Sequence, residues 1–180
     1  MIELDPITVS EYVNLDPKEQ EPYNFALMFV KRFNTPVDEF KVGDVMDLSF
    51  GFVKDLQYEM ERGISWQKLV DFVLEATKLE NVADIPLDKF SRFANYLKKS
   101  VQTILDVEEQ TLAYDPTDSE QSAGMDRFKN LGIYLQIRKL TGGDVTKYDA
   151  VRALPYSLCF TELYTSKQLH DYEQELRKRK

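Results

Sequence analysis

The chain has one cysteine, Cys159, and one histidine, His170. A single thiol cannot close an intrachain disulfide, and a lone imidazole leaves no HExxH motif and no paired-histidine metal site. Glycine and proline number seven each in 180 residues, too few for the tight turns of a sandwich or barrel. The glycines form no GxGxxG, no phosphate-cradling loop and no GxSxG, and Gly142-Gly143 stands alone. The longest fully apolar run covers 25–30, whereas a membrane-crossing helix needs about 20 residues. The opening MIELDPITVSEY lacks a basic segment followed by an apolar one, so no signal peptide is expected. Positive charge is also scarce: 23 Lys and Arg face 31 Asp and Glu, a net −8. A field of that sign repels nucleic acid and anionic membranes. These absences predict a chain free in the cytoplasm of a cell, or part of a particle assembled there.

What is present is a core and a helical rhythm. The 43% hydrophobic and 12% aromatic content suits a packed globule rather than a disordered chain. Apolar residues recur at spacings of three and four, which predicts an all-α fold of six to seven helices. Ser10 is expected to cap a short helix that Pro17 stops, with an edge strand through Ile7 and Val9 as the alternative. Pro22 opens a helix over 22–33, ended by Asn34-Thr35-Pro36, and a short connecting element over 37–42 follows. Asp44 caps a helix over 45–62 that Gly63 stops, and Ser65 caps one over 66–79 whose Trp66 lies at the core edge. The cleanest stripe, Phe90, Phe93, Ala94, Leu97, Val101, Ile104, Leu105 and Leu112, predicts a helix over 87–113, ~40 Å long at 1.5 Å per residue. Later helices are expected over 125–140, from a Thr146 cap to Ala153, and from Pro155 to the end. The organisation that follows is an acidic segment 1–21, a lobe 22–114 containing the long helix, an acidic linker 115–124 and a second lobe 125–180.

Candidate chemistry is thin. Cys159 and His170 lie eleven residues apart in one predicted helix, ~16 Å along its axis, too far to share a proton. Carboxylates are many, but 115–120 lacks the glycine and the alternating ligands of a calcium loop. Asp44, Asp47, Asp106 and Glu109 are the acids best spaced to meet across helices in a carboxylate or divalent-metal enzyme. Arg177-Lys178-Arg179-Lys180 is the one basic run, the basis of a nucleic-acid accessory reading, although a helix C-terminus attracts cations unaided. Neither rival is favoured, and no catalytic residue, cofactor or metal ligand is assigned.

The favoured features are apolar surfaces. Phe25, Met28, Phe29 and Phe33 widen the 22–33 helix nearly all round, more than one buried face requires. Beyond Thr165 the last helix keeps only Leu169, Tyr172 and Leu176, a narrow stripe that fits one facing helix. Phe25, Met28, Phe29, Leu169, Tyr172 and Leu176 are therefore the expected partner contacts.

Two stretches also repeat one order of events. A helix with Ala26, Leu27, Val30 and Phe33 precedes Val37-Asp-Glu-Phe40 and a helix with Ser49 and Phe52. About 107 to 108 residues later, Ile133, Tyr134, Ile137 and Leu140 precede Thr-Gly-Gly, Val145-Thr-Lys-Tyr148 and a helix with Ser157 and Phe160. With the Ile7-Thr-Val-Ser-Glu-Tyr12 opening and the tyrosine-bearing last helix, this arrangement resembles small helical tail-assembly proteins of tailed bacteriophages. The resemblance spans roughly 7–56 and 126–176, and the first copy departs from it in carrying Asn34-Thr35-Pro36 in place of Thr-Gly-Gly. It implies a chaperone or adaptor in virion assembly, found in the host cytoplasm or the virion. Its partners would be other protein subunits, a second copy among the candidates, with no catalytic residues to carry over.

Overall fold

A computed structural model describes residues 5–30, 44–113 and 121–179; the side chains of 25–30, 126, 129 and 130 lie outside that description. The fold is all-α. Among the described residues there are eight α-helices, three short 3-10 turns and no strand. The helices are α1 (Val9–Asn14), α2 (Pro17–Val30), α3 (Phe50–Glu61), α4 (Trp66–Thr77), α5 (Leu87–Leu112), α6 (Gly132–Leu140), α7 (Tyr148–Ala153) and α8 (Tyr156–Lys178). Among the described residues no helix is long and apolar enough to cross a membrane.

The first two helices start earlier than the sequence suggests, and side-chain caps explain why. Thr8 and Glu11 cap α1 reciprocally: Glu11 N–H donates to Thr8 Oγ1 at 3.2 Å, and Thr8 N–H donates to Glu11 Oε2 at 2.7 Å. Thr8, not Ser10, is therefore the cap. Asp16 does the same for α2, its Oδ1 accepting from the N–H groups of Lys18 at 2.8 Å and Glu19 at 3.0 Å. Pro17 thus occupies the first helical position, where its missing N–H costs nothing, and it opens α2 rather than stopping α1. Pro22 lies inside α2.

The predicted 45–62 helix is divided: a 3-10 turn (Val45–Asp47) precedes α3, because Leu48 and Ser49 are drawn into a backbone pairing with another helix start. Gly63, at φ 80°, ends this stretch as expected, and α4 ends on Lys78 in the left-handed region (φ 57°). The 125–140 element is a 3-10 turn (Met125–Leu131) followed by α6. Asp144, rather than Thr146, caps the next turn, its Oδ1 accepting from Thr146 N–H at 3.0 Å. The turn at 34–36, the element at 37–42 and most of the acidic linker lie outside the described residues, and with them the comparison of the two repeated stretches.

One device occurs twice. Thr8 bridges Pro86, with Val9 N–H donating to Ile85 C=O at 2.9 Å and Leu87 N–H to Ile7 C=O at 2.8 Å. Ser49 bridges Pro155 in the same pattern, Phe50 N–H to Leu154 C=O at 2.7 Å and Tyr156 N–H to Leu48 C=O at 2.8 Å. The first N–H groups of a helix have no partner within it, so each clasp satisfies one such donor on each of two helices. The bridge centre makes no ladder bond in this antiparallel arrangement, which is why proline fits there. Ile7 and Val9 thus flank a single bridge instead of building an edge strand.

The chain forms two compact units that are discontinuous in sequence. The first comprises Met1–Val45 and Tyr58–Gln102, the second Met46–Gln57 and Thr103–Lys180. The segment 46–57, grouped with the N-terminal lobe by sequence order, belongs to the second unit. In the first unit Trp66 packs between Tyr12 and Phe90, with ring centroids 5.1 and 5.0 Å away. Val73, Phe90, Phe93, Leu97 and Val101 there have no exposed surface. In the second, Phe50, Val53, Leu56, Ile137, Tyr156 and Cys159 are buried, and α6 packs on α7 and α8.

Candidate functional site

The buried polar cluster and the α8 face both belong to the second unit. Its apolar interior contains an ion pair. Lys54, from α3, and Glu108, from α5, each keep only 7% of their side-chain surface exposed, and Lys54 Nζ donates to both oxygens of the carboxylate. Gln57, one turn beyond Lys54, reaches the same carboxylate at 3.5 Å. The ammonium also lies 5.7 Å from the centroid of Phe50 and 5.8 Å from that of Tyr156, a cation–π position over both rings. Tyr156 is 1% exposed, and its hydroxyl has no partner in hydrogen-bonding geometry. Burial, and then the nearby Glu108 charge, push its ionisation far above the ordinary tyrosine range.

This cluster brings an amine, a carboxylate and a phenol together, the materials of acid–base chemistry. The carboxylate holds the ammonium through both oxygens, and neither group faces solvent. A nucleophilic or proton-transferring lysine must reach a substrate. What this arrangement does is fasten the start of α3 to the end of α5 beside the first residue of α8.

The exposed apolar surface is concentrated elsewhere in the same unit. Of fifteen large hydrophobic side chains that are exposed among the described residues, only Val13, Tyr58 and Leu79 belong to the first unit. The largest set lies on α8. Tyr156, Cys159 and Leu163 form its buried side. On the opposite side Leu158 is 55% exposed, Leu169 60%, Tyr172 60% and Leu176 42%. At 3.6 residues per turn these four fall within about 60° of one another and span ~27 Å of axis. Thr161 and Thr165, exposed as well, continue the strip between Leu158 and Leu169. On the inner side Phe50, Tyr156 and Phe160 stack with centroid spacings of 6.0 and 6.0 Å, and the ladder runs out to the 41% exposed Tyr164 at 6.4 Å.

Leu169, Tyr172 and Leu176 are thus brought together on one uncovered face, and Leu158 joins them. Leu158 escapes a local reading because it lies among Tyr156, Cys159 and Phe160; its eleven-residue spacing from Leu169, close to three turns, is the signal that places it. Phe25, Met28 and Phe29 lie in α2, but their side chains fall outside the described residues. Asp44, Asp47, Asp106 and Glu109 are all exposed, Asp44 in the first unit and the other three in the second. Among the described residues no three His, Cys, Asp or Glu side chains are grouped as metal ligands. Cys159 is buried, its thiol pushed up in pKa by burial and directed at Val151 C=O at 3.8 Å, while His170 is exposed further along the unbroken helix α8. Arg177 and Lys178 close α8, and Lys180 lies outside the described residues. No family model matches the chain, nor does any curated protein or solved structure.

Proposed function

We propose that this protein works by holding another protein, and that the outer face of α8 is its contact surface. The observation that carries the reading is a second apolar face on a helix whose first apolar face is already buried. Leu158, Leu169, Tyr172 and Leu176 leave 42–60% of their surface in water, and fully covering a leucine-sized side chain is worth roughly 1.5–3 kcal/mol. A stripe of this spacing fits a helix laid along it. Together with the resemblance of 7–56 and 126–176 to small helical phage tail-assembly proteins, this supports the role of a non-catalytic chaperone or adaptor in building a virion.

The test is a Leu169→Asp, Tyr172→Asp double variant produced in phage-infected cells. We expect an unchanged circular dichroism spectrum, loss of co-purifying tail components, and particles with incomplete tails. Full retention of those components with an intact fold would remove the α8 face from the mechanism. Normal tails from a phage lacking the gene altogether would remove the assembly role.

A further inference from the structure

A second exposed apolar face lies on α6, and the charges of that helix are all of one sign. From Arg127 to Gly143 the chain carries four bases and no acid, against a net −8 for the whole. Ile137 is buried and marks the inner side of α6. On the opposite side Leu131, at the cap, is 41% exposed, Tyr134 63% and Leu135 40%, and Arg138 and Lys139 are exposed with them. At 3.6 residues per turn Arg138 falls between Tyr134 and Leu135, and Lys139 about 40° beyond Leu135. The Met125–Leu131 turn, α7 and α8 pack on α6. Among the described residues no carboxylate, from these elements or any other, forms an ion pair with Arg138 or Lys139.

From this we infer that α6 docks, independently of α8, a helix of another protein whose leucines are interleaved with aspartate or glutamate. The position of Arg138 decides the occupant. A guanidinium set between a tyrosine and a leucine loses water to anything that covers them, and a carboxylate compensates it with two parallel hydrogen bonds. The acyl region of a bilayer offers no such partner. Nucleic acid brings a dense run of phosphates that a chain of net −8 repels. Nor does this chain carry a matching face for a second copy. Another α6 repeats the cations, and like charges across an interface are strongly disfavoured. The end of α5 sets Asp106 and Glu109 beside Val107, its one exposed large apolar residue among those described. The α8 stripe carries Arg177 and Arg179 as well as glutamates.

Three synthetic helices with the same leucines, interleaved with glutamate, glutamine or lysine, test this by fluorescence anisotropy against the full chain. We expect the glutamate helix to bind about tenfold tighter than the glutamine one and the lysine one weakest. The gap should shrink as salt rises from about 0.01 to 0.15 M. Arg138→Gln with Lys139→Gln should erase most of the preference, and Tyr134→Asp should abolish binding of the glutamate helix, each with an unchanged circular dichroism spectrum. The Leu169→Asp, Tyr172→Asp chain should bind that helix as the natural chain does, which separates this face from the one on α8. Equal binding of the three helices overturns the charge inference. Glutamate-helix binding that survives Tyr134→Asp, or is lost in the α8 variant, overturns the placement on α6, and no binding of that helix overturns the proposal. Single-stranded DNA or phosphatidylglycerol vesicles that bind tighter than the glutamate helix and are released by Tyr134→Asp overturn the choice of occupant, as does self-association that Tyr134→Asp abolishes.

Discussion

Lys54 and Glu108 stabilise the second unit only as a pair. Taking two charges out of water is expensive, and their mutual attraction offsets it only while both are present. Lys54→Met or Glu108→Gln alone is expected to cost about 3–5 kcal/mol in urea unfolding, because either leaves a buried group without its partner. The double variant Lys54→Met, Glu108→Leu should recover most of that loss, so the cycle has a large coupling; additive losses would show that the pair is not a unit. The pair is half legible in the sequence. On the helix Gln57 falls between Phe50 and Val53 and Lys54 lies on the other side of Phe50, and a charge beside a buried arc demands a counter-charge. Which of many acids supplies it is not legible, since Glu108 is separated from Lys54 by 54 positions and chosen by tertiary packing.

Tyr156 contributes a different residue-scale effect. Its ionisation is raised in the fold, so the stability tied to its neutral form is fully present below the ordinary tyrosine value of about 10 and is lost as pH rises above it. Tyr156→Phe is expected to leave stability at neutral pH unchanged or raise it by about 1 kcal/mol, since it removes a buried hydroxyl with no partner. It should also flatten the fall in unfolding free energy between pH 10 and 12. The buried thiol of Cys159 and Tyr12, raised for the same reason, act in the same alkaline direction and leave a residual slope. An unchanged alkaline slope in Tyr156→Phe would show that the phenol is not confined as described.

At the scale of the element, helix starts carry the specificity. Ser49 accepts from Phe52 N–H at 3.1 Å while its neighbours form the clasp with Leu154 and Tyr156. Ser49→Ala is expected to cost about 1 kcal/mol, the usual loss of a capping hydroxyl, and hydrogen exchange should report it first at the Phe50 and Tyr156 amides. In the other clasp Glu11 is held below its ordinary ionisation by the Thr8 N–H and hydroxyl. Stability from that contact is present above the ordinary carboxylate value of about 4.3 and fades as pH falls through the lowered one. Thr8→Ala should therefore reduce the acid sensitivity of α1. The middles of α4 and α5 are legible because their apolar spacing survives any register. The starts of α1, α2 and α3 are not, because Ser10, Pro17 and Asp44 are locally reasonable punctuation. They are overruled by Thr8, Asp16 and Ser49, two of which are flanked by residues that bond to backbone far along the chain.

At the scale of the whole molecule, sequence order and spatial grouping part company. The run of polar residues near 115–124 reads as a boundary, yet the second unit takes Met46–Gln57 from the far side of it. That segment supplies Phe50, Val53, Leu56 and Lys54, three apolar side chains with no exposed surface and one half of the buried ion pair. A fragment of residues 103–180 would keep α6, α7 and α8 while leaving Glu108 without its lysine and Tyr156 without Phe50 and the Leu48 carbonyl. What remains is too small a core to offset the conformational entropy of ordering it. The fragment is expected to show helical circular dichroism without a cooperative heat-absorption peak, and the full chain is expected to show one. A sharp calorimetric transition in 103–180 alone would mean that Met46–Gln57 is dispensable, and the ion pair and the Ser49–Pro155 clasp would then be ornaments of the second unit rather than what closes it.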